Sequence, residues 1–299
     1  MARTWRRVDG ILPLDKPVGM SSNAALQAVR RMFGAEKAGH AGTLDPLASG
    51  LLPVLFGQAT RFSGWLLDAD KAYRASVRLG VTTQTADAEG KVLETRPVEV
   101  AMAQIDGALA KFRGEIEQVP PMYSALKRAG HPLYELARQG LTVERAARRV
   151  RIERLDLLGF SGTLLDIEVV CSKGTYIRTL AEDIGRALGC GAHLAGLQRT
   201  AAGNFTIEQA AALDHLADLD DNARTGWIRP VDELLTGLPG IELDLSESQR
   251  FSQGQGVGRE VAAGQDYRVY APAGVFLGVG GGQPGGRLQP RRLIARQDP

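Results

Sequence analysis

A carboxylate on a stiffened loop is the first residue in this sequence placed to do chemistry. Residues 39–50 read Gly39-His40-Ala41-Gly42-Thr43-Leu44-Asp45-Pro46-Leu47-Ala48-Ser49-Gly50. Pro46 pushes Asp45 out of helical geometry and the glycines allow close backbone approach, so the loop can hold one oxygen nucleophile in fixed geometry. The same aspartate could instead shape the loop as an Asx-turn. Arg178 falls near the start of an expected helix, where the macrodipole disfavours a cation. That placement invites a nearby carboxylate or phosphate, unless Arg178 simply pairs with Glu182 one turn on. Tyr73 lies on the apolar side of an expected strand, either as core or as a buried phenol wanting a polar partner. His40 reads more readily as a loop hydrogen-bonder than as a catalyst, and no Ser-His-Asp or Cys-His order is convincing. Cys190 and His193 have a metal-like spacing, but with four histidines in all and no second pair at a suitable distance, no metal is expected.

The elements that must position these residues follow from periodicity. Ser21-Ser22-Asn23 offers a cap for a helix marked by Leu26, Val29 and Phe33 and ended by Gly34. Tyr73, Ala75, Val77 and Leu79 alternate with polar residues as a half-buried strand, and Leu165, Ile167, Val169 and Cys171 repeat the pattern. Met102, Ile105, Leu109 and Phe112 predict a helix stopping at Gly114; Ile177, Leu180, Ile184 and Leu188 predict another. Pro120-Pro121 opens a basic, loop-rich insertion over 121–154, with a short helix between Pro132 and Gly140. The acidic stretch beyond residue 205 reads as helical around Leu213 and Leu216. After Leu238-Pro239, short strand-like runs separated by glycines predict a small all-β domain over 239–299. Gly280-x-Gly282-x-x-Gly285 formally matches a dinucleotide-binding fingerprint, but no helix can follow it, so 278–286 reads as a hairpin loop.

Charge narrows the class. Of 299 residues, 36 are Lys or Arg and 34 Asp or Glu, a net charge of only +2. The distribution is uneven: residues 121–154 carry +5, residues 250–299 carry +4, and residues 205–249 carry −8. Most of the basic charge is Arg, which contacts phosphate as a fork and stacks on bases, although solvated helix faces would look the same. No apolar run is long enough to span a bilayer, and the N-terminal residues lack a secretory signal's apolar core. Two cysteines make no disulfide framework. A cytoplasmic enzyme or binding protein fits.

Several longer runs go further. Leu14-Asp15-Lys16-Pro17-Val18-Gly19-Met20-Ser21-Ser22, the 39–50 loop, Lys71-Ala72-Tyr73-Arg74, Pro121-Met122-Tyr123-Ser124-Ala125-Leu126-Lys127, Cys171-Ser172-Lys173-Gly174-Thr175-Tyr176-Ile177-Arg178-Thr179 and Gly189-Cys190-Gly191-Ala192-His193-Leu194 occur in order. Together they closely resemble the TruB family of bacterial tRNA pseudouridine synthases. The C-terminal part resembles that family's PUA-type RNA-binding domain more loosely. The resemblance implies an α+β fold: a catalytic domain over 1–238 with a mixed, largely antiparallel sheet flanked by helices, and a PUA-like domain over 239–299. It implies isomerisation of uridine 55 in the tRNA T-loop to pseudouridine, with base flipping and no cofactor.

By the same resemblance Asp45 is the catalytic aspartate, Arg178 its pairing arginine, and Tyr73 the tyrosine that stacks on the uracil and helps remove the proton from its carbon. Leu197 is an apolar wall, His40 supports the flipped loop, and Tyr176 and Lys16 pack and orient the site. The insertion closes over the RNA, with Lys127, Arg148, Arg149 and Arg151 as RNA contacts, and the acidic segment lies away from it. The partner is the T-arm of tRNA, with no membrane and no obligate protein partner, and the protein acts as a monomer. Two alternatives remain open: a tRNA-binding folding factor, which would not require Asp45, and a glycoside hydrolase, which normally needs a second carboxylate.

Overall fold

The computed structural model describes residues 5–124, 126–128, 131–141 and 143–295. In chain order the strands of its first part are β1 (Gly10–Lys16), β2 (Ala38–His40), β3 (Ala48–Phe56), β4 (Lys71–Leu79), β5 (Val81–Thr83), β6 (Val92–Thr95), β7 (Gly114–Gln118), β8 (Lys127–Arg128), β9 (His131–Pro132), β10 (Arg148–Ser161), β11 (Leu164–Cys171), β12 (Ala192–Ala202), β13 (Phe205–Thr206) and β14 (Ala211–Ala212). Ten of them form one sheet, ordered β14-β1-β3-β12-β4-β11-β10-β7, with β2 added to β3 and β13 to β12. The β1–β14 and β3–β12 pairs are parallel and the others antiparallel, so the sheet is mixed and largely antiparallel as expected.

The helices follow the apolar spacing. They are α1 (Ser22–Met32), α2 (Ser63–Asp68), α3 (Met102–Ala110), α4 (Leu133–Arg138), α5 (Ile177–Ala187), α6 (Leu213–Asp218) and α7 (Asp221–Thr225). On β4 and β11 the apolar alternates turn inward, and Val77, Ile167 and Val169 pack with Ile105 and Leu109 of α3 and Leu180 and Ile184 of α5. Strands β1 and β3 are covered on both faces, by Ala25, Leu26 and Val29 of α1 on one side and by Phe62, Leu66 and Leu234 on the other. That double burial explains why they read as continuous apolar runs rather than alternating ones.

Two segments differ from expectation. The basic insertion is loop-rich only in its first part: Arg148, Arg149, Arg151 and Arg154 stand on β10, inside the large sheet. Val150 and Ile152 are buried between them and Leu155 is buried just beyond, so the apparent basic loop is a strand whose exposed positions are mostly arginine. The second sheet comprises β15 (Gly240–Glu242), β16 (Val257–Gly258), β17 (Asp266–Ala271), β18 (Val275–Gln283) and β19 (Arg287–Leu293), ordered β15-β17-β18-β19-β16. It is not all-β, because α8 (Leu245–Ser252) packs on it, capped reciprocally by Asp244 and Glu247. The glycine run is also no loop. Gly278–Gly282 lies within β18 and the turn falls at 284–286. A Cβ at Gly278, where φ is +136°, would run into the Arg292 carbonyl, and one at Gly282 into the Ala262 carbonyl. The glycines are there because neighbouring chain lies directly on the strand.

Candidate active site

The 39–50 loop is fastened on every side before any ligand arrives. Ser22, the first residue of α1 and 2% exposed, donates to the Leu44 carbonyl at 2.8 Å and accepts from the Leu44 amide at 2.7 Å. The Gly19 amide donates to the Pro46 carbonyl at 2.7 Å, and the Ala48 amide to the Asp45 carbonyl at 3.0 Å. Lys16, fully buried, holds the Pro17–Met20 turn through the carbonyls of Pro17 and Met20. Arg199, 1% exposed on β12, donates from Nε to the Leu51 carbonyl at 3.0 Å and from its terminal nitrogens to the Gly42 carbonyl at 3.1 and 3.3 Å. Gly42 has φ +96°, and a Cβ there would sit 2.8 Å from that guanidinium. Glycine is required at that point.

Arg178 sits in the first turn of α5 and reaches Asp45. Its Nη2 lies 3.0 Å from Asp45 Oδ2 and donates to the Tyr123 carbonyl at 2.7 Å. Its Nη1 lies 3.5 Å from Asp87 Oδ2 and donates to the Thr85 carbonyl at 3.4 Å. The side chains of Arg178 and Asp87 are 8% and 4% exposed, whereas that of Asp45 is 43% exposed. Asp87 is therefore the buried anchor of the arginine and Asp45 its open end. The choice between Glu182 and a distant carboxylate is decided for the distant ones, which removes the puzzle of a cation at a helix N-terminus. Asp87 and Arg199 were not legible as site residues. The nearest signal for Asp87 is the tight Thr85–Gly90 turn, where a Cβ at Gly90 would meet Thr85 Oγ1 at 2.2 Å.

Above this network opens a cavity of about 570 Å³ lined by Asp45, Tyr73, Glu89, Tyr176, Arg178, Leu197 and Arg199. Burial pushes the Asp45 carboxyl above its ordinary value, opposed by the Arg178 cation and reinforced by the Asp87 charge, with Lys16 pulling back. The Tyr73 phenol is pushed up to about 12 by burial, against the pull of Arg199. It is a neutral ring in the resting site. Burial and the Arg199 charge lower the His40 imidazole, which favours its neutral form. Lys16 is lowered by burial as well.

The expected site residues therefore separate. Asp45, Tyr73, Arg178, Tyr176 and Leu197 share the one cavity, and Lys16 supports the loop beside it. His40 stands on β2 with a buried Nδ1 that has no hydrogen-bond partner among the described residues, and it does not line the cavity. The Lys127 side chain lies outside the described residues. Arg148 is exposed and without an ion pair among the described residues, Arg149 stands 3.9 Å from Glu117, and Arg151 lies 3.2 Å from Asp70 and 3.4 Å from Glu153. His193 Nδ1 lies 2.8 Å from the Val81 carbonyl, and among the described residues no group of three or more His, Cys, Asp or Glu side chains is placed to hold a metal ion.

Comparison with known proteins accounts for this arrangement. A model of the TruB family pseudouridylate synthase N-terminal domain matches residues 30–177. A tRNA pseudouridine synthase B from Dechloromonas aromatica is 53% identical over 296 residues, covering 99% of both chains. The chain belongs to the TruB family. The match continues through a tRNA pseudouridylate synthase B C-terminal domain over 178–236 and a pseudouridine synthase II TruB C-terminal domain over 239–294. Another TruB-family relative, tRNA pseudouridine synthase B from Burkholderia lata, is 55% identical over 295 residues, covering 97% of this chain and 91% of its own. Among solved structures, an H/ACA RNP bound to a substrate RNA containing 2'-deoxyuridine is similar with TM-score 0.75 at 25% identity, covering 97% and 86% of the two chains. A Cbf5-Nop10-Gar1 complex is similar with TM-score 0.73 at 26% identity, covering 96% and 84%. The TruB fold here therefore takes in both sheets.

Proposed function

We propose that this chain isomerises uridine 55 in the T-loop of tRNA to pseudouridine. The observation that carries the reading is the Asp45–Arg178 pair at 3.0 Å, set at the rim of a cavity walled by Tyr73 and Leu197 in a TruB-family chain. A cavity of about 570 Å³ is in the range that encloses a small organic ligand. The target base lies inside a folded loop, so it must be taken out of the stack at a cost of about a few kcal/mol, offset by contacts in the cavity. In the reaction the N-glycosidic bond breaks, the uracil turns, and C5 joins the sugar carbon. C5 gives up a proton and N1 gains one, so atoms and electrons balance without a redox partner.

Asp45 acts in its ionised form, on the sugar carbon or on the base, and Arg178 stabilises that form. Tyr73 stacks on the uracil as a neutral phenol, because a value of about 12 leaves little phenolate at neutral pH. Tyr176 and Leu197 wall the cavity, Lys16 orients the loop, and His40 supports the rearranged RNA loop. Residues 1–238 form the catalytic domain and 239–299 a PUA-like unit that contacts the acceptor-stem side. The protein works as a cytoplasmic monomer. Among the described residues, no helix is long and apolar enough to cross a membrane.

The test is incubation of unmodified tRNA with the protein, followed by separation of the nucleosides. Pseudouridine is expected. Free uracil would mean a hydrolase, and unchanged uridine would leave only binding.

The basic strand yields a second expectation. Removing Arg148, Arg149 and Arg151 together should flatten the dependence of log affinity for tRNA on log salt. The slope should fall by about 1 to 2 rather than by nearly 3, because Arg151 already shares its charge with Asp70 and Glu153. An unchanged slope in a salt titration would remove this face of β10 from the RNA interface.

A further inference from the structure

The N-terminal end of α5 is held by a residue from a distant strand. Gln118 closes β7, is 2% exposed, and meets the Tyr176 backbone at two points. Its Oε1 accepts from the Tyr176 amide at 3.0 Å and its Nε2 donates to the Tyr176 carbonyl at 3.3 Å. Tyr176 is the N-cap of α5 and makes no side-chain cap of its own. Its carbonyl also accepts the first helical hydrogen bond, from Leu180 at 3.0 Å. Loss of the clamp would leave the part-buried Tyr176 amide without its partner, so the clamp fixes where the helix begins. Arg178 follows two residues later.

The same strand end roots the insertion. Gln118 pairs with Arg148, so both ends of the 119–147 segment leave the sheet at this point. A few residues into that segment, the Tyr123 carbonyl accepts from Arg178 Nη2, the nitrogen that also faces Asp45. The root of the insertion thus reaches the arginine by two routes, directly at the Tyr123 carbonyl and indirectly through the backbone of Tyr176.

We propose that Gln118 is a positioning residue, whose carboxamide clamp on Tyr176 aims Arg178 at Asp45 and ties that aim to the root of the insertion. The proposal rests on the isomerase reading and deepens it. Gln118 touches no reacting atom; it acts through Tyr176 and Arg178. Asp45 faces Arg178 from α5, Asp87 and Glu89 from the 83–90 loop, and Lys16 from β1, and Arg178 is the one of these that the clamp orients.

The experiment is Gln118→Met, which keeps the volume and removes both hydrogen bonds, with Gln118→Glu retaining an acceptor for the Tyr176 amide. Single-turnover kcat on unmodified tRNA is expected to fall about tenfold or more in Gln118→Met, with tRNA Kd within about twofold. The acid limb of kcat is expected to move to higher pH, because a displaced Arg178 no longer opposes the upward push on Asp45. Gln118→Glu is expected to lie between wild type and Gln118→Met, and it carries the test if Gln118→Met does not fold. A folded variant with wild-type kcat and acid limb overturns the proposal. So does a loss of kcat with an unmoved limb, which is what general loosening would give. Wild-type protein in the same assay separates the two readings: if it makes no pseudouridine the isomerase reading fails, and if it does, only the role of Gln118 is at stake.

Discussion

Asp45→Asn is expected to abolish pseudouridine formation, with a loss of at least about 10⁴-fold, while tRNA binds within about threefold of wild type. The substitution is isosteric and removes only the charge. Asp45 is held by its backbone neighbours, through Leu44 on Ser22 and Pro46 on Gly19, so the loop does not depend on the carboxylate. Arg178 also keeps its other partners, Asp87 and the carbonyls of Thr85 and Tyr123. On the proposed reading the chemistry therefore loses the carboxylate it needs while the cavity keeps its shape. Binding and turnover measured on the same transcript check this, and residual turnover near wild type would remove Asp45 from the reaction.

Arg178→Met is expected to fail in two separable ways. Turnover should drop by about 10³-fold, because the cation that favours ionised Asp45 is gone. Stability should drop by about 3–5 kcal/mol, because Asp87 stays buried with no countercharge. Adding Asp87→Asn should restore most of the stability, since a neutral amide can remain in that place, and should restore none of the turnover. Denaturant unfolding of wild type, both single variants and the double variant measures the coupling. Full additivity would mean that Arg178 and Asp87 do not share an energetic contact, and recovery of turnover in the double variant would mean that Arg178 serves the fold rather than the reaction.

Much of this architecture was legible because its elements are amphipathic. Leu26, Val29 and Phe33 mark α1, and the alternations around Tyr73 and Ile167 mark β4 and β11. The stiffened loop around Asp45 was legible because proline and glycine chemistry is local, whereas a catalytic role for Asp45 came only with the family resemblance. What stayed hidden depends on contacts between distant residues. Nothing near Arg178 in sequence says that its anchor is Asp87 rather than Glu182. Nothing near Arg199 says that a wholly buried arginine holds the loop by the Gly42 carbonyl. The arginines of β10 read as a loop because their exposed face dominates the composition, although Val150 and Ile152 already carry the strand period. The glycines of β18 make sense only once the backbone of Arg292 and Ala262 is seen lying against them. The α8 cap, Asp244-x-x-Glu247, was readable and simply stood in a segment whose texture suggested strands.

The near-neutral total of +2 conceals an uneven distribution of charge along the chain. Acidic and basic blocks cancel in the sum and separate along the fold, with arginine on the outer face of β10 and the acidic residues around α6 and α7.

Nucleotide-resolution mapping of pseudouridine in an unmodified tRNA pool, before and after exposure to the protein, tests the central claim most directly. One new pseudouridine at position 55 of the T-loop, absent when Asp45→Asn replaces wild type, is the expected result. Pseudouridine elsewhere, free uracil, or an unchanged pool would contradict it.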